Sequence, residues 1–302
     1  MILEESYTLA NGVEIPKLGL GTWFISNEDV IGAVKEAARL GYRHVDTAQA
    51  YRNERGVGEG VRASGVQREH MFVTTKLAAE VKDFKKAVRS IDTSLKDLGL
   101  DYIDMMIIHS PQPWRHFREG DRHLEGNREA WRALEEAYAA GKLRAIGVSN
   151  FEQEDIDNIL ASCSVRPMVN QILAHIGNVP TELIRYCEAN GLLVEAYSPI
   201  AHGVMLKNQD VAEIAERYRV SIPQLCIRYD LQLGLLPLPK TARAEHMKTN
   251  ADVDFEISAE DMHALDSVAP ITDYGRAGMM PVFGGKLSLR GVASSLLRSG
   301  RD

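Results

Sequence analysis

Short apolar runs rich in β-branched residues alternate with amphipathic stretches along almost the whole chain. The runs fall at residues 17–21 (KLGLG), 42–48 (YRHVDTA), 71–76 (MFVTTK), 102–109 (YIDMMIIH), 144–150 (RAIGVSN), 167–172 (PMVNQI), 192–198 (LLVEAYS) and 235–240 (LLPLPK). Their length and bounding turn residues predict eight strands. Between them, residues 28–41, 84–100, 127–142 and 181–191 repeat apolar positions at helical spacing and run into Gly41, Gly99, Gly141 and Gly191, as helices commonly do. Ahead of the first run, residues 7–16 (YTLANGVEIP) read as a hairpin turning at Asn11-Gly12. Eight strands alternating with helices predict the α/β class and a (β/α)8 TIM barrel over about residues 16–270, in one domain spanning 1–302. Residues 271–302 fall outside the repeat, and their glycines and basic residues fit either a loop laid over one barrel mouth or a partly disordered end.

The competing architecture is a doubly wound sheet holding a dinucleotide, which requires G-x-G-x-x-G between a strand and its helix. GLGTWF at residues 19–24 lacks the third glycine, and GVGEG at 56–60 lies within or at the start of a helical stretch. Neither supports that fold.

Composition narrows the function classes. A net charge of −7 argues against a nucleic-acid partner, which would need a clustered basic excess. No run approaches the 18 or so apolar residues of a membrane helix. The acidic N-terminus lacks a signal-peptide pattern. Cys163, Cys187 and Cys226 are widely spaced with no CxxC, which fits reduced thiols and a cytoplasmic location. With neither HExxH nor HxH at a strand end, no metal site is expected.

Barrel chemistry sits at the C-terminal strand ends, and residues two apart on a strand share a face. Reading back from each polar end, Asp46 has His44 beneath it, Lys76 has Thr74, and His109 has Ile107 and Met105. Tyr51 follows in the loop leaving the same mouth. Taken singly, Asp46 fits a helix cap, Lys76 a solvated charge, His109 a core histidine and Tyr51 simple packing. Together, on the ends of strands two, three and four of the barrel, they make a coherent proton-donating set. A phenol titrates near 10, and lowering it by two to three units takes roughly 3–4 kcal/mol, about what one ammonium at ~4 Å supplies at an effective dielectric near 20. Lys76 is therefore expected to depress Tyr51 if Asp46 holds it in place, while His109 orients a carbonyl oxygen.

With these residues in place, the chain resembles the aldo-keto reductases from about residue 6 to residue 270. GLGTW, DTAQAYRNE, VTTK, LDYIDMMIIHSP, GKLRAIGVSNF, AYSP and PLPKT occur in family order, nearest in flavour to the microbial branch that includes diketogluconate and methylglyoxal reductases. The resemblance implies reduction of aldehydes and ketones by a nicotinamide cofactor. Tyr51 would be the general acid, Lys76 and Asp46 would tune it, and His109 would orient substrate. It places the carboxamide at Ser149, Asn150 and Gln171, the nicotinamide ring on Tyr197, and the pyrophosphate along Ser198, Ile200 and Ala201. Lys240, Thr241, His246 and Asn250 would line the adenosine end. Thr22 and Trp23 would flank the cofactor, and Trp23, His109, Ser110 and Trp114 the substrate. A monomer is the family default.

Three departures matter. His246 stands where many members have an arginine for the 2′-phosphate, and Thr249 replaces a glutamate before Asn250. Both changes weaken the usual grounds for a strict NADPH preference: NADP(H) is still favoured, with Lys240, Thr241 and Arg243 available to a 2′-phosphate, and NAD(H) becomes plausible. Ser110 replaces a tryptophan of the substrate pocket, which implies a wider or more polar mouth. Two other readings are a cofactor-holding regulatory or structural subunit on the same fold, which an intact tetrad disfavours, and a metal-dependent barrel hydrolase, which lacks its ligand pattern.

Overall fold

A computed structural model describes residues 1–285. The hairpin β1 (Ser6–Thr8) and β2 (Glu14–Pro16) precedes eight parallel strands: β3 (Leu20–Gly21), β4 (His44–Asp46), β5 (Phe72–Leu77), β6 (Ile103–Ile108), β7 (Leu143–Ser149), β8 (Val169–Leu173), β9 (Leu193–Tyr197) and β10 (Leu236–Leu238). They neighbour one another in sequence order from β3 to β10. The ends then meet through a parallel bridge between Gly21 and Lys240 and through Gly21 N–H to Pro239 O at 3.0 Å. The eight runs read from hydrophobic patterning are therefore the eight staves of a (β/α)8 barrel. Helices α1 (Asn27–Arg39), α2 (Glu54–Arg62), α3 (Phe84–Leu98), α4 (Leu124–Ala139), α5 (Gln153–Leu160), α6 (Thr181–Ala189), α7 (Gln209–Tyr218), α8 (Ile222–Gln232), α9 (Ala244–Ala251) and α10 (Ala259–Asp266) form the outer ring and its additions.

Both glycine-rich stretches have a packing explanation. A side chain at Gly19 would meet Leu238 Cδ2 at 2.5 Å and His44 Nδ1 at 2.7 Å, so the GLG run lets β3 close against β10 over the interior. In α2, a Cβ on Gly56 would lie 2.0 Å from Asn27 O, and one on Gly58 would lie 1.7 Å from Leu98 O. The glycines of GVGEG thus bring α2 into backbone contact with α1 and with the end of α3.

The hairpin turns at Gly12, whose φ is 83°. It lies against the N-terminal strand ends, with Asn11 Nδ2 on Arg144 O (2.9 Å) and the Tyr7 hydroxyl on Leu235 O (3.2 Å). The opposite mouth is left to the βα loops and to the first part of the tail. Ile271 N–H bonds Gly177 O, the Tyr274 hydroxyl meets His175 Nε2 at 3.0 Å, and Phe283 packs on Tyr274, His202 and Trp23. Of the two readings of the tail, residues 271–285 follow the loop over the mouth; residues 286–302 lie outside the described residues. No helix among the described residues is long and apolar enough to cross a membrane.

Candidate active site

The stretch from Asp46 to Glu54 is held at nearly every polar position. Asn53, fully buried, donates to Thr22 O and Ile25 O (both 3.0 Å) and accepts from the Thr47 hydroxyl (2.6 Å). Gln49 accepts from Ala78 N–H (2.8 Å) and donates to the Ser94 hydroxyl (2.8 Å). Glu54 accepts from the Thr75 hydroxyl at 2.6 Å. Thr22 donates its hydroxyl to Asp46 O (2.8 Å). A single 3-10 turn, Gln49–Tyr51, ends on Arg52 in the left-handed region (φ 58°), and this kink aims Tyr51 back over the barrel.

At the base, Lys76 is fully buried and donates to Asp46 Oδ2 (2.5 Å), Thr47 O (2.9 Å) and the Tyr51 hydroxyl (3.4 Å). The Tyr51 and His109 rings lie 5.7 Å apart, edge to face, and Trp114 meets the other side of His109 at 5.0 Å. Asp46, Tyr51, Lys76 and His109 thus converge at one mouth. His44 lies one layer deeper, against the Thr74 hydroxyl at 3.0 Å.

The electrostatics differ from the sequence expectation in one respect. Burial first, then the Asp46 carboxylate, hold the Tyr51 phenol well above its ordinary value. Lys76 was expected to lower it. The ammonium sits 0.9 Å closer to Asp46 than to the phenol (2.5 against 3.4 Å), so most of its field is spent on the carboxylate, and desolvation dominates. Burial and the Lys76 charge push His109 well below the usual imidazole range. The site therefore offers a protonated phenol beside a neutral imidazole.

A cleft of about 1100 Å³ opens above these groups and runs to the far side of the barrel mouth. Thr22, Trp23, Ser149, Asn150, Gln171, Tyr197, Ser198 and Ile200 line it, followed by Lys240, Thr241, His246 and Asn250. Asn150, left-handed at φ 61°, donates to His109 O (3.0 Å) and accepts from the Tyr197 hydroxyl (2.7 Å). The Ser149 hydroxyl donates to Gln171 O at 2.8 Å. Ala201 is buried beneath the loop and joins it through its backbone, N–H to Ser198 O at 2.8 Å. Arg243 is not among the lining residues.

Ser110 departs from expectation. It is fully buried and not among the residues lining the cleft, its carbonyl accepting from Lys82 Nζ at 2.8 Å and its hydroxyl from Gln112 N–H at 3.3 Å. Ser110 therefore does not make the mouth more polar, and Trp23 and Trp114, both expected beside the substrate, line the cleft. Several lining groups escaped the sequence reading, and so did one buried carboxyl behind the cleft. His202, in the SPIAHG loop, sits 3.2 Å from the Ser198 hydroxyl and edge-on to Trp23. Phe24 and Leu206 stand exposed on the rim. Glu195, two residues before Tyr197 and so on the same face of β9, is buried against Gln171; that spacing was the available signal.

Comparison with known proteins matches this arrangement to a family. The model of the Aldo/keto reductase family covers residues 17–270. The chain belongs to that family. Among its relatives, the glyoxal reductase of Bacillus subtilis is 39% identical over 268 residues, covering 88% of this chain and 93% of that protein. The morphine 6-dehydrogenase of Pseudomonas putida is 37% identical, covering 86% and 90%. The crystal structure of a Bombyx mori aldo-keto reductase in complex with NADP superposes with a TM-score of 0.79 at 33% identity, over 87% of this chain and 92% of that one. As a member of the family, this reductase is an oxidoreductase enzyme. Among its described residues, no group of histidine, cysteine and carboxylate side chains is arranged to hold a metal.

Proposed function

We propose that the protein reduces aldehydes and ketones to alcohols with NADPH, Tyr51 delivering the proton. The observation that carries this reading is the chain Asp46–Lys76–Tyr51 beside a neutral His109, in a cleft of about 1100 Å³ whose lining runs from these groups to Lys240, His246 and Asn250. The cleft suits that cofactor: Gln171, Ser149 and Asn150 offer amide and hydroxyl partners for a carboxamide, and the Tyr197 ring lies beside them. Lys240 and Thr241 stand at the phosphate end. When bound, the nicotinamide supplies a hydride to the carbonyl carbon.

The chain's own residues do the rest. Neutral His109 donates a hydrogen bond to the carbonyl oxygen and fixes its direction. As negative charge grows on that oxygen, Tyr51 transfers its proton there, because an alkoxide is a stronger base than a phenolate. The phenolate is stabilised by Lys76 and takes its proton back from solvent. A phenol of ordinary pKa is already protonated at neutral pH, so the raised value adds nothing before transfer and leaves the Lys76 ammonium to stabilise the phenolate as the proton leaves.

The apolar rim of Trp23, Phe24, Trp114, Leu206 and Met279 favours aromatic and alkyl carbonyls over polyhydroxylated ones. NADPH is accepted, and NADH competes better than an arginine at position 246 would allow. The test is NADPH or NADH consumption with nitrobenzaldehyde, methylglyoxal and a keto-sugar, in the parent and in Tyr51→Phe. The expected result is loss of turnover by at least about a thousandfold, within the range of a lost general acid, with cofactor binding by fluorescence quenching retained. A Tyr51→Phe enzyme that keeps its rate overturns the assignment.

A further inference from the structure

Gln171 is fully engaged through one atom. Its Nε2 carries two hydrogens, and the structure directs one to Asp46 Oδ1 at 2.9 Å and the other to Glu195 Oε2 at 2.7 Å. Topology explains the meeting. Gln171 and Glu195 are register partners on the adjacent strands β8 and β9, so both point into the barrel at one level. Asp46 arrives on the same level from β4, on the other side of the barrel. Gln171 therefore spans the interior and joins the Asp46–Lys76–Tyr51 chain to Glu195. With both hydrogens committed, its remaining polar atom, Oε1, is left as an acceptor on a residue that lines the cleft.

Glu195 is an unusual choice for this place. It is fully buried, and among the described residues its Oε1 has no partner and Gln171 makes its one hydrogen bond. A buried carboxyl with a free oxygen costs folding free energy and would be replaced by an apolar residue without loss if it did nothing. Burial, then the nearby Asp46 carboxylate, push it up to about 8, while Gln171 and Lys76 oppose the rise. It is thus mostly a neutral acid at pH 7, with one oxygen accepting from Gln171.

We propose that Glu195 is a positioning residue that clamps the Gln171 amide. By taking the second hydrogen of Nε2, it fixes which way the amide faces, holding Oε1 toward the cleft as the acceptor for a carboxamide N–H of the bound cofactor. One clamp thereby sets the nicotinamide end of the cofactor and braces Asp46 from behind. Without it, a single bond to Asp46 leaves the amide free to swing about its last torsion. This rests on the cofactor reading proposed above.

Two variants test it. Glu195→Ala removes the acceptor. Glu195→Gln restores one in the same place and mimics the neutral acid. Affinity for NADPH is measured by fluorescence quenching, and steady-state constants with nitrobenzaldehyde are measured alongside. The Ala variant is expected to bind NADPH about five- to tenfold more weakly, the size of one lost hydrogen bond, with the aldehyde KM at saturating cofactor within about twofold of the parent. The Gln variant is expected to recover NADPH affinity to within about twofold, a rescue that a merely structural role does not require. Unchanged NADPH affinity in the folded Ala variant overturns the inference, as does a Gln variant as weak as Ala. The cofactor reading fails separately, if the parent itself binds neither NADPH nor NADH.

Discussion

Replacing Lys76 by methionine tests the charge arrangement at its centre. The ammonium is fully buried and makes three contacts, to Asp46 Oδ2, Thr47 O and the Tyr51 hydroxyl. Methionine fills much of the volume but leaves the buried Asp46 carboxylate, among the described residues, with Gln171 Nε2 at 2.9 Å alone. Breaking one side of a buried ion pair costs about 3–5 kcal/mol, because the orphaned charge keeps its desolvation penalty. At roughly 1.6 °C per kcal/mol for a domain of this size, Tm should fall by about 5–8 °C. The double variant Lys76→Met with Asp46→Asn removes the orphaned charge, and should regain at least about 2 kcal/mol relative to Lys76→Met alone. Activity should not return: with no ammonium to stabilise a developing Tyr51 phenolate, aldehyde reduction should stay about 10²–10⁴ below the parent in both. Thermal melts give the first quantity and cofactor consumption the second. A Lys76→Met melt within about 2 °C of the parent, or a double variant less stable than both singles, would refute the reading of Asp46 and Lys76 as a mutually compensating buried pair.

Three further outcomes are expected. Gly58→Ala drives a Cβ to 1.7 Å from the Leu98 carbonyl oxygen, so α2 and α3 must separate; the urea midpoint should drop by an amount equivalent to about 2 kcal/mol or more, whereas Gly32→Ala, with open space around it, should not lower it. Burial and the Lys76 charge push His44 down to about 3. The unfolded chain protonates this imidazole near 6.5 and the folded chain does not, so its contribution is fully present above about 6.5 and is lost as pH falls, by about 2 kcal/mol at pH 5; His44→Gln should flatten the fall in urea stability between pH 7 and 5. His246→Arg places a guanidinium on the exposed end of the cleft and should raise the kcat/KM ratio of NADPH over NADH by about tenfold, the value of one charge-assisted pair with a phosphate; equal ratios in the two enzymes would remove position 246 from the 2′-phosphate site.

The sequence was most informative where a local period carries the information. Lys76 and Thr74, or Asp46 and His44, share a face because strand side chains repeat every two residues, and that rule alone aims Lys76 and Asp46 into one interior. Glu195 and Tyr197 obey the same rule, and Glu195 was readable in principle. It was passed over because a lone strand carboxylate has no chemistry until its partner is known. Ser110 shows the limit from the other side. It follows His109 directly, but the chain turns after β6 and buries it against Lys82, and no period describes a loop.

Taken alone, the sequence determined the order and number of strands, the end of each strand that bears polar groups, and the residue types that stand there. These follow from side-chain alternation and turn chemistry over a few residues, which need no knowledge of distant chain. Only the tertiary structure decided how the groups are paired and what state they are in. Gln171 meets Asp46 across 125 residues because the barrel closes. Lys76 was free on paper to acidify Tyr51, but the packed site spends its charge on Asp46 and leaves burial to raise the phenol. The physical reason is that pKa values and pairings depend on desolvation and on distances of a few ångströms, and those are set by how strands pack around the barrel, not by the spacing of residues along them.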